Sequence, residues 1–210
     1  MVINYNDDLK KALEVLKSGG TIIYPTDTVW GIGCDATNPD AVSKLYKIKK
    51  RTENQSMLIL VDVPQRIIQY IRIIPEISWD LIELSDKPLT IVFSGAKNLA
   101  SNLVHEDGSI GIRVTKDEFC RKLIAAFRKP VVSTSANISG ETYPSVFKDI
   151  RPEIINSVDY VVKWRQKDKS KGQPSSIIKL GEKGDVEIIR EGGEGNRESG
   201  KGREREWDNK

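Results

Sequence analysis

Hydrophobic residues recur along this chain at helical spacing in some segments and in short continuous runs in others. Leu9, Leu13 and Leu16 lie on one face of a helix, and Asp7 or Asp8 before them predicts its N-cap. Later helices are each marked by a capping residue or by a proline in the first turn. These helices are expected at 38–49, 65–71, 76–84 and 117–127.

The short apolar runs are typical of strands buried within a sheet. They are expected at 21–24, 57–61, 89–93, 110–114, 130–133, 158–162, 176–180 and 186–190. Residues 25–36 are rich in Thr, Asp and Gly, which predicts a loop that brings its backbone close to a ligand. Strands and helices mix without strict alternation. We therefore expect a single α/β domain with a twisted sheet of mixed parallel and antiparallel strands flanked by helices.

The composition after residue 192 differs from that of the preceding chain. Residues 193–210 are dominated by Gly, Glu, Arg and Lys, with Trp207 as the one large apolar side chain. Such a segment buries too little surface to offset its loss of conformational entropy. We expect one folded domain over 1–192 and a disordered, charged tail over 193–210.

The net charge, the cysteine content and the N-terminal sequence bear on whether this protein binds nucleic acid, holds zinc or enters a membrane. The formal net charge of +3 is too small to indicate a nucleic-acid partner by itself, although basic residues cluster at 44–51 and 163–171. Two distant cysteines and one histidine argue against a zinc site, so no metal-ligating residues are expected. The N-terminus does not resemble a signal peptide, and no apolar run approaches the ~20 residues that span a bilayer. These features predict a cytoplasmic protein with no membrane partner and with reduced thiols.

Two stretches carry residue types suited to phosphate binding. Lys49 and Arg51 follow a predicted helix and supply fixed positive charge, with arginine offering a two-pronged donor. Residues 133–140, Ser-Thr-Ser-Ala-Asn-Ile-Ser-Gly, follow a predicted strand and supply hydroxyls, an amide and a flexible backbone. Open α/β sheets hold ligands at strand ends, so the two stretches indicate a site for a polyanion such as a nucleotide. No P-loop accompanies them.

Arg113 lies inside an apolar strand, where a charge is costly unless a partner meets it. A ligand carboxylate and a buried structural Asp or Glu are both open as that partner. Arg190 raises the same question at the end of the last predicted strand, and Ser175 and Ser176 either line the cavity or cap a strand. His105 sits in a predicted turn, and nothing in the chain resembles a nucleophile elbow, which argues against a catalytic triad.

In their order and spacing, the motifs of this chain resemble those of the YrdC-like family of threonylcarbamoyl-AMP synthases. The resemblance covers nearly all of the chain before the tail and implies a YrdC/RibB-like fold. The motifs are the Tyr-Pro-Thr-Asp-Thr-Val-Trp-Gly-Ile-Gly loop at 24–33, Lys49-x-Arg51, Pro88-Leu89-Thr90, Gly111-Ile112-Arg113, the stretch 135–140, Pro174-Ser175-Ser176 and Arg190.

The resemblance implies a nucleotidyltransferase reaction in which L-threonine, bicarbonate and ATP with Mg²⁺ give threonylcarbamoyl-AMP and pyrophosphate. Downstream tRNA threonylcarbamoyl-transferase proteins would use this product to modify adenosine in tRNA, and tRNA itself would be a weak or indirect partner. By analogy, the nucleotide is held by Lys49, Arg51, Ser135, Asn137, Tyr143 and Arg190. Of these, Lys49 and Arg51 carry the catalysis. By the same analogy, threonine is held by Thr28, Arg113, Ser133 and Ser176.

Several positions depart from the family pattern and leave other functions open. Leu60 stands where many relatives have a histidine, and Ser56 replaces a common proline. Residues 85–87 and 163–166 also differ from the usual Trp-Pro-Gly and Asp-Gly-Gly segments. One alternative is an RNA- or nucleotide-binding module of this fold without synthase activity, which the basic clusters support. Another is a carbamoyl- or acyl-transfer domain that acts on another protein.

Overall fold

The structure, a computed structural model, describes residues 4–51 and 57–192. The predicted tail at 193–210 and Ser56 lie outside the described residues. Within the described ranges, no helix has both the length and the apolar character needed to cross a membrane.

The described residues form a nine-stranded sheet with helices packed against it. The strands are β1 Ile22–Tyr24, β2 Gly31–Gly33, β3 Leu58–Val61, β4 Leu89–Phe93, β5 Ile110–Val114, β6 Val131–Ser135, β7 Tyr160–Val161, β8 Ser176–Leu180 and β9 Val186–Arg190. The α-helices are α1 Tyr5–Lys17, α2 Pro39–Lys49, α3 Ile77–Leu84, α4 Glu118–Phe127 and α5 Pro152–Ile155. Two short 3₁₀ helices cover Pro64–Gln69 and Phe147–Asp149.

The strand order is β7-β1-β2-β6-β3-β5-β4-β8-β9, which mixes the two pairing directions. The β1–β7, β3–β5 and β4–β8 pairs are parallel. The remaining neighbours in this order are antiparallel. The predicted α/β fold with a mixed sheet and flanking helices is confirmed.

Local capping explains where two helices begin. The Asn38 side chain accepts hydrogen bonds from the Asp40 and Ala41 amides, and Pro39 occupies the first turn of α2. The Asp117 side chain accepts a hydrogen bond from the Cys120 amide at the start of α4. Both starts agree with the sequence prediction, because a cap depends only on residues within one turn of it.

The predicted cap of α1 is wrong. Asn4 caps this helix, and its side chain accepts a hydrogen bond from the Asn6 amide. Asp8 is instead buried, and its carboxylate accepts hydrogen bonds from the Lys163 amide at 2.9 Å and the Trp164 amide at 2.6 Å. This carboxylate therefore ties α1 to the chain that follows β7.

The prediction of one continuous loop at 25–36 is also wrong, because β2 lies inside it. Gly33 permits this strand, since an added Cβ there would lie only 2.3 Å from the Val132 carbonyl oxygen. This glycine-rich strand lacks the alternating large apolar residues that usually indicate a strand, so its sequence predicts a loop. The helix predicted at 65–71 is the 3₁₀ helix Pro64–Gln69.

The two faces of the sheet are covered by different helices. Ile23 of β1 packs in a cluster that includes residues of α2, whereas its neighbours Ile22 and Tyr24 pack with residues of α1 and α4. Leu60 is fully buried in the second cluster. This arrangement leaves the C-terminal end of α2 beside the end of β6, where the polar residues of interest converge.

Candidate active site

The site begins where the C-terminus of α2 meets the loop after β6. Lys50, the C-cap of α2, has a left-handed backbone with φ of 51° and turns the chain out of the helix. The Ser139 amide donates a hydrogen bond to the Lys49 carbonyl at 3.1 Å, which holds the loop against the helix end. The two stretches singled out in the sequence for phosphate binding are therefore neighbours in the fold.

The Lys49 side chain is buried, with 2% of the residue exposed. Its Nζ donates hydrogen bonds to the Ser135 carbonyl at 2.6 Å and to Asn137 Oδ1 at 3.1 Å. Asn137 Oδ1 also accepts a hydrogen bond from the Ser135 hydroxyl, and Asn137 Nδ2 donates to the Glu141 carbonyl at 2.6 Å. The oxygens that hold Lys49 are neutral, and no carboxylate forms an ion pair with it in the described part of the chain.

This environment lowers the pKa of Lys49 from 10.5 to about 7. Burial is the main cause, because it disfavours the charged amine, and the nearby positive charge of Arg51 lowers the pKa further. Glu141 acts in the opposite direction. A buried amine beside a guanidinium is an arrangement that an incoming polyanion would stabilise.

A second polar group surrounds Arg113 on β5, of which 3% is exposed. Arg113 Nη2 donates a hydrogen bond to the Thr28 hydroxyl at 3.1 Å and lies 3.2 Å from Asp27 Oδ1. Asp27 Oδ2 accepts a hydrogen bond from the Lys116 amide at 3.1 Å. Asp27 is therefore a carboxylate partner of Arg113 within the protein, and the sequence alone had left that partner open.

The pair between Arg113 and Asp27 is incompletely hydrogen-bonded. Arg113 Nε and Asp27 Oδ1 are buried and have no hydrogen-bond partner in the described part of the chain. Buried polar atoms usually find a partner, so this pair retains capacity for further polar contacts.

Ser133 lies between these two groups. It is buried on β6, two positions before Ser135, so the two side chains share one face of the strand. A Cβ added at Gly31 would lie 3.3 Å from both the Ser133 hydroxyl and the Thr26 methyl group. Gly31 therefore allows Ser133 and the threonine-rich loop to approach each other.

Ser176 and Arg190 form a third group near the other end of the strand order. The Ser176 hydroxyl accepts a hydrogen bond from the Gly192 amide at 2.9 Å, and Arg190 Nη2 donates to the Ser175 carbonyl at 2.9 Å. The Ser175 hydroxyl bonds with that of Thr90 at 2.9 Å. The pairing of Ile91 with Ile112 places Thr90 one position further along, across from Arg113, so this group borders the second one.

Some of the site residues predicted from the sequence are in direct contact in the structure, and others are not. Lys49, Ser135 and Asn137 are in direct contact, and Thr28 contacts Arg113. Arg190 contacts Ser175 rather than any of these residues in the contacts described, and β9 stands five places from β6 in the strand order. Tyr143 is half-buried in the loop after β6.

The fold also brings together residues that sequence reasoning passed over. The basic segment 163–172, here called the strap, lies against the loop 25–30 and encloses a cavity of about 220 Å³ with it. Asp27, Arg165 and Lys171 line this cavity together with Thr28. The sequence shows Asp27 between two threonines and a series of basic residues in the strap. Neither pattern indicates that these two segments contact each other.

Comparison with known proteins places this geometry in a family. The model of the Sua5–YciO–YrdC family, described as telomere recombination, matches residues 14–192. A threonylcarbamoyl-AMP synthase of Pseudoalteromonas translucida (strain TAC 125) is 31% identical over 172 residues, which are 79% of this chain and 89% of that protein. A putative threonylcarbamoyl-AMP synthase of Methanocaldococcus jannaschii is 35% identical over 190 residues, which are 89% of this chain and 88% of that protein.

Solved structures share the fold. The crystal structure of P. abyssi Sua5 complexed with L-threonine superposes with a TM-score of 0.81 at 22% identity and covers 92% of this chain and 56% of that chain. E. coli YciO gives a TM-score of 0.76 at 21% identity and covers 91% of each chain. The family match spans most of the chain and includes all of the polar residues of the candidate site, so this protein belongs to the Sua5–YciO–YrdC family.

Proposed function

We propose that this protein is an L-threonylcarbamoyladenylate synthase, a nucleotidyltransferase that makes threonylcarbamoyl-AMP and pyrophosphate from L-threonine, bicarbonate and ATP. The observation that carries the proposal is the buried amine of Lys49, which is held by Ser135 and Asn137 and lies beside Arg51. The regions aligned with this chain cover 89% and 88% of the lengths of two relatives whose names describe synthases of this product.

The nucleotide is assigned to the groups around the end of α2. Lys49 and Arg51 neutralise the charge that develops on the leaving pyrophosphate, and they carry the catalysis. Asn137 and Ser135 position Lys49, while Tyr143 and Arg190 complete the nucleotide contacts. Mg²⁺ would enter with the triphosphate, since phosphate oxygens are ligands that this ion prefers, and it would neutralise part of the phosphate charge. Within residues 4–51 and 57–192, no group of three or more His, Cys, Asp or Glu residues suited to a metal occurs.

The amino acid is assigned to the groups around Arg113. The guanidinium donates to the threonine carboxylate, and its unpartnered Nε is available for that contact. The Thr28 hydroxyl, already 3.1 Å from Arg113 Nη2, lies at the same place. Ser133 and Ser176 border the bound amino acid. The P. abyssi protein of the same fold was solved with L-threonine, which supports an amino-acid site.

The chemistry consists of two bond-forming steps. The threonine amine first combines with bicarbonate to give a carbamate. A carbamate oxygen then attacks the α-phosphorus of ATP, and the bond to pyrophosphate breaks. Placement of the reactants and neutralisation of charge by Lys49 and Arg51 account for most of the rate.

The product is reactive and must pass to a transferase that modifies tRNA. We place the protein in the cytoplasm with those downstream transferases as partners, and tRNA contacts it weakly or only through them.

Pyrophosphate release from ATP tests the function directly. Release by the wild-type protein should require both L-threonine and bicarbonate. Arg51→Ala and Asn137→Ala should each lower the rate by at least about a hundredfold. The first removes a cation that stabilises the transition state, and the second removes the acceptor that positions Lys49. Lys47→Ala, which removes an exposed cation from α2, the helix that precedes Arg51, is the matched control and should retain the wild-type rate.

Two outcomes would contradict the proposal. Pyrophosphate release that does not depend on threonine would exclude this reaction. Tight RNA binding that weakens steeply with salt, without any ATP chemistry, would support the alternative of an RNA-binding module.

A further inference from the structure

The loop after β6 closes on itself just beyond Asn137. Asn137 Nδ2 donates a hydrogen bond to the Glu141 carbonyl at 2.6 Å, and the Glu141 amide donates to the Ile138 carbonyl at 3.1 Å. Gly140 has a left-handed backbone with φ of 82°, which lets the chain turn at this point. Residues 137–141 are here called the Asn137 turn. The position of Glu141 sets the orientation of the Asn137 amide, whose Oδ1 accepts a hydrogen bond from Lys49.

Arg151 holds the side chain of Glu141. Arg151 Nη1 donates a hydrogen bond to Glu141 Oε1, and Arg151 Nη2 lies 3.4 Å from Glu153 Oε2. Glu153 Oε1 in turn lies 2.8 Å from Lys50 Nζ. These four side chains form a row of alternating charge that runs from the Asn137 turn to the C-cap of α2.

The backbone of Arg151 is fixed, so this residue can anchor the turn. Arg151 is the N-cap of α5, and its carbonyl accepts hydrogen bonds from the Ile154 amide at 3.0 Å and the Ile155 amide at 3.2 Å. Ile154 is buried in the cluster that also contains residues of α2. The ion pairs of Arg151 are exposed, and a single exposed pair contributes little, but a network of several charges is an exception to that rule.

We propose that Arg151 is a positioning residue for nucleotide binding, because it holds Glu141 and thereby keeps the Asn137 amide oriented toward Lys49. This inference rests on the assignment of the nucleotide to the end of α2 in the function proposed above. Without Arg151 the Asn137 turn loses one of its attachments, and the nucleotide must order it on binding. Such ordering lowers affinity, because a site that is already in its bound geometry avoids this cost.

The sign of the effect at Glu141 distinguishes positioning from charge. Glu141 is close enough to Lys49 to raise the pKa of its amine. If Glu141 acted only through its charge, its removal would make the site more positive and strengthen the binding of a triphosphate. If Glu141 links the turn to Arg151, its removal weakens that binding instead.

The test is the Kd for Mg²⁺–ATP, measured by calorimetric titration without threonine so that no turnover occurs. Arg151→Ala and Glu141→Ala should each raise this Kd about fivefold, equivalent to about 1 kcal/mol. The double variant should bind no more weakly than either single variant, because both changes break the same link. Arg151→Lys keeps the charge and should restore most of the affinity.

Two controls confine the effect to this link. Glu153→Ala removes the other carboxylate partner of Arg151 but leaves the Asn137 turn attached, so it should bind Mg²⁺–ATP as the wild type does. The apparent KM for threonine in Arg151→Ala, measured by pyrophosphate release at saturating ATP, should stay within about twofold of the wild-type value. The amino acid is assigned to the separate group around Arg113, which does not depend on the turn.

The outcomes separate this inference from the function on which it rests. A wild type that binds Mg²⁺–ATP, together with an unchanged Kd in Arg151→Ala, would overturn the positioning role and leave the synthase function standing. Weaker binding in Arg151→Ala with tighter binding in Glu141→Ala would assign the guanidinium a direct contact with the phosphates and would also overturn the positioning role. A wild type that does not bind Mg²⁺–ATP would overturn both proposals.

Discussion

Binding of a nucleotide at Lys49 should be accompanied by uptake of a proton. The pKa of this amine is about 7 in the free protein, because burial and Arg51 disfavour its charge. A bound triphosphate would place negative charge beside it and raise the pKa toward the ordinary lysine value of 10.5. The amine therefore takes up a proton when the nucleotide binds, and the uptake increases as the pH rises past about 7.

The amount of proton uptake follows from the two pKa values. At pH 8 an amine with a pKa of about 7 is protonated in about 0.1 of the free molecules, so full protonation takes up about 0.9 proton. At pH 7 the uptake should be about 0.5 proton, and at pH 6 about 0.1.

Calorimetric titration with Mg²⁺–ATP in buffers of different ionisation enthalpy measures this uptake. Lys49→Arg is the matched variant, because arginine keeps the positive charge at every pH used and cannot take up a proton. The difference between the wild type and this variant removes any contribution from the nucleotide phosphates. Uptake near zero at pH 8 in the wild type, with ATP bound, would refute the reasoning about the buried amine.

The same lowered pKa predicts how stability varies with pH. Between about 7 and 10.5 the folded protein binds fewer protons at Lys49 than the unfolded chain. The contribution of Lys49 to stability therefore rises with pH over this window, and the cost of burying its charge is complete below about pH 7. Lys49→Met should remove this part of the pH dependence, as measured by urea unfolding across the window. An unchanged slope in Lys49→Met would contradict the assignment.

Two predictions concern the fold and are measured by urea unfolding. Gly33→Ala should lower the free energy of unfolding by about 3 kcal/mol, because its Cβ would lie 2.3 Å from the Val132 carbonyl oxygen. Gly111→Ala is its control, since the nearest atoms would lie at 3.3 Å, and equal losses would count against the argument. Asp8→Ala should cost about 3 kcal/mol, because the Lys163 and Trp164 amides lose a buried, charged acceptor. A loss below about 1 kcal/mol would show that solvent replaces the carboxylate.

Local signals located most of the helices and strands. β4, β5, β8 and β9 have the bounds that their apolar runs predict, and α4 begins after the predicted cap Asp117. Such features depend on residues close in sequence. The prediction failed at β2, because this strand has glycines in place of alternating apolar residues. It also failed at Asp8, because the residues that this carboxylate contacts are distant in sequence.

The candidate site was recognised from motifs, but its electrostatics were not. The residue types in 49–51 and 133–140 indicated a polyanion site without any knowledge of contacts. Neither stretch by itself indicates that Lys49 is buried or that Asn137 holds it. The sequence also does not indicate that Asp27 is the partner of Arg113, because this contact forms only when the fold brings β5 next to the loop after β1.

The sequence by itself determined the types of most helices and strands, the N-caps of α2 and α4, and the chemical character of the motifs. Each of these features depends on a few adjacent residues. The tertiary structure decided the strand order, the lowered pKa of Lys49 and the cavity beneath the strap. Those properties arise from contacts between residues far apart in the chain, and burial and charge proximity exist only after the chain has folded.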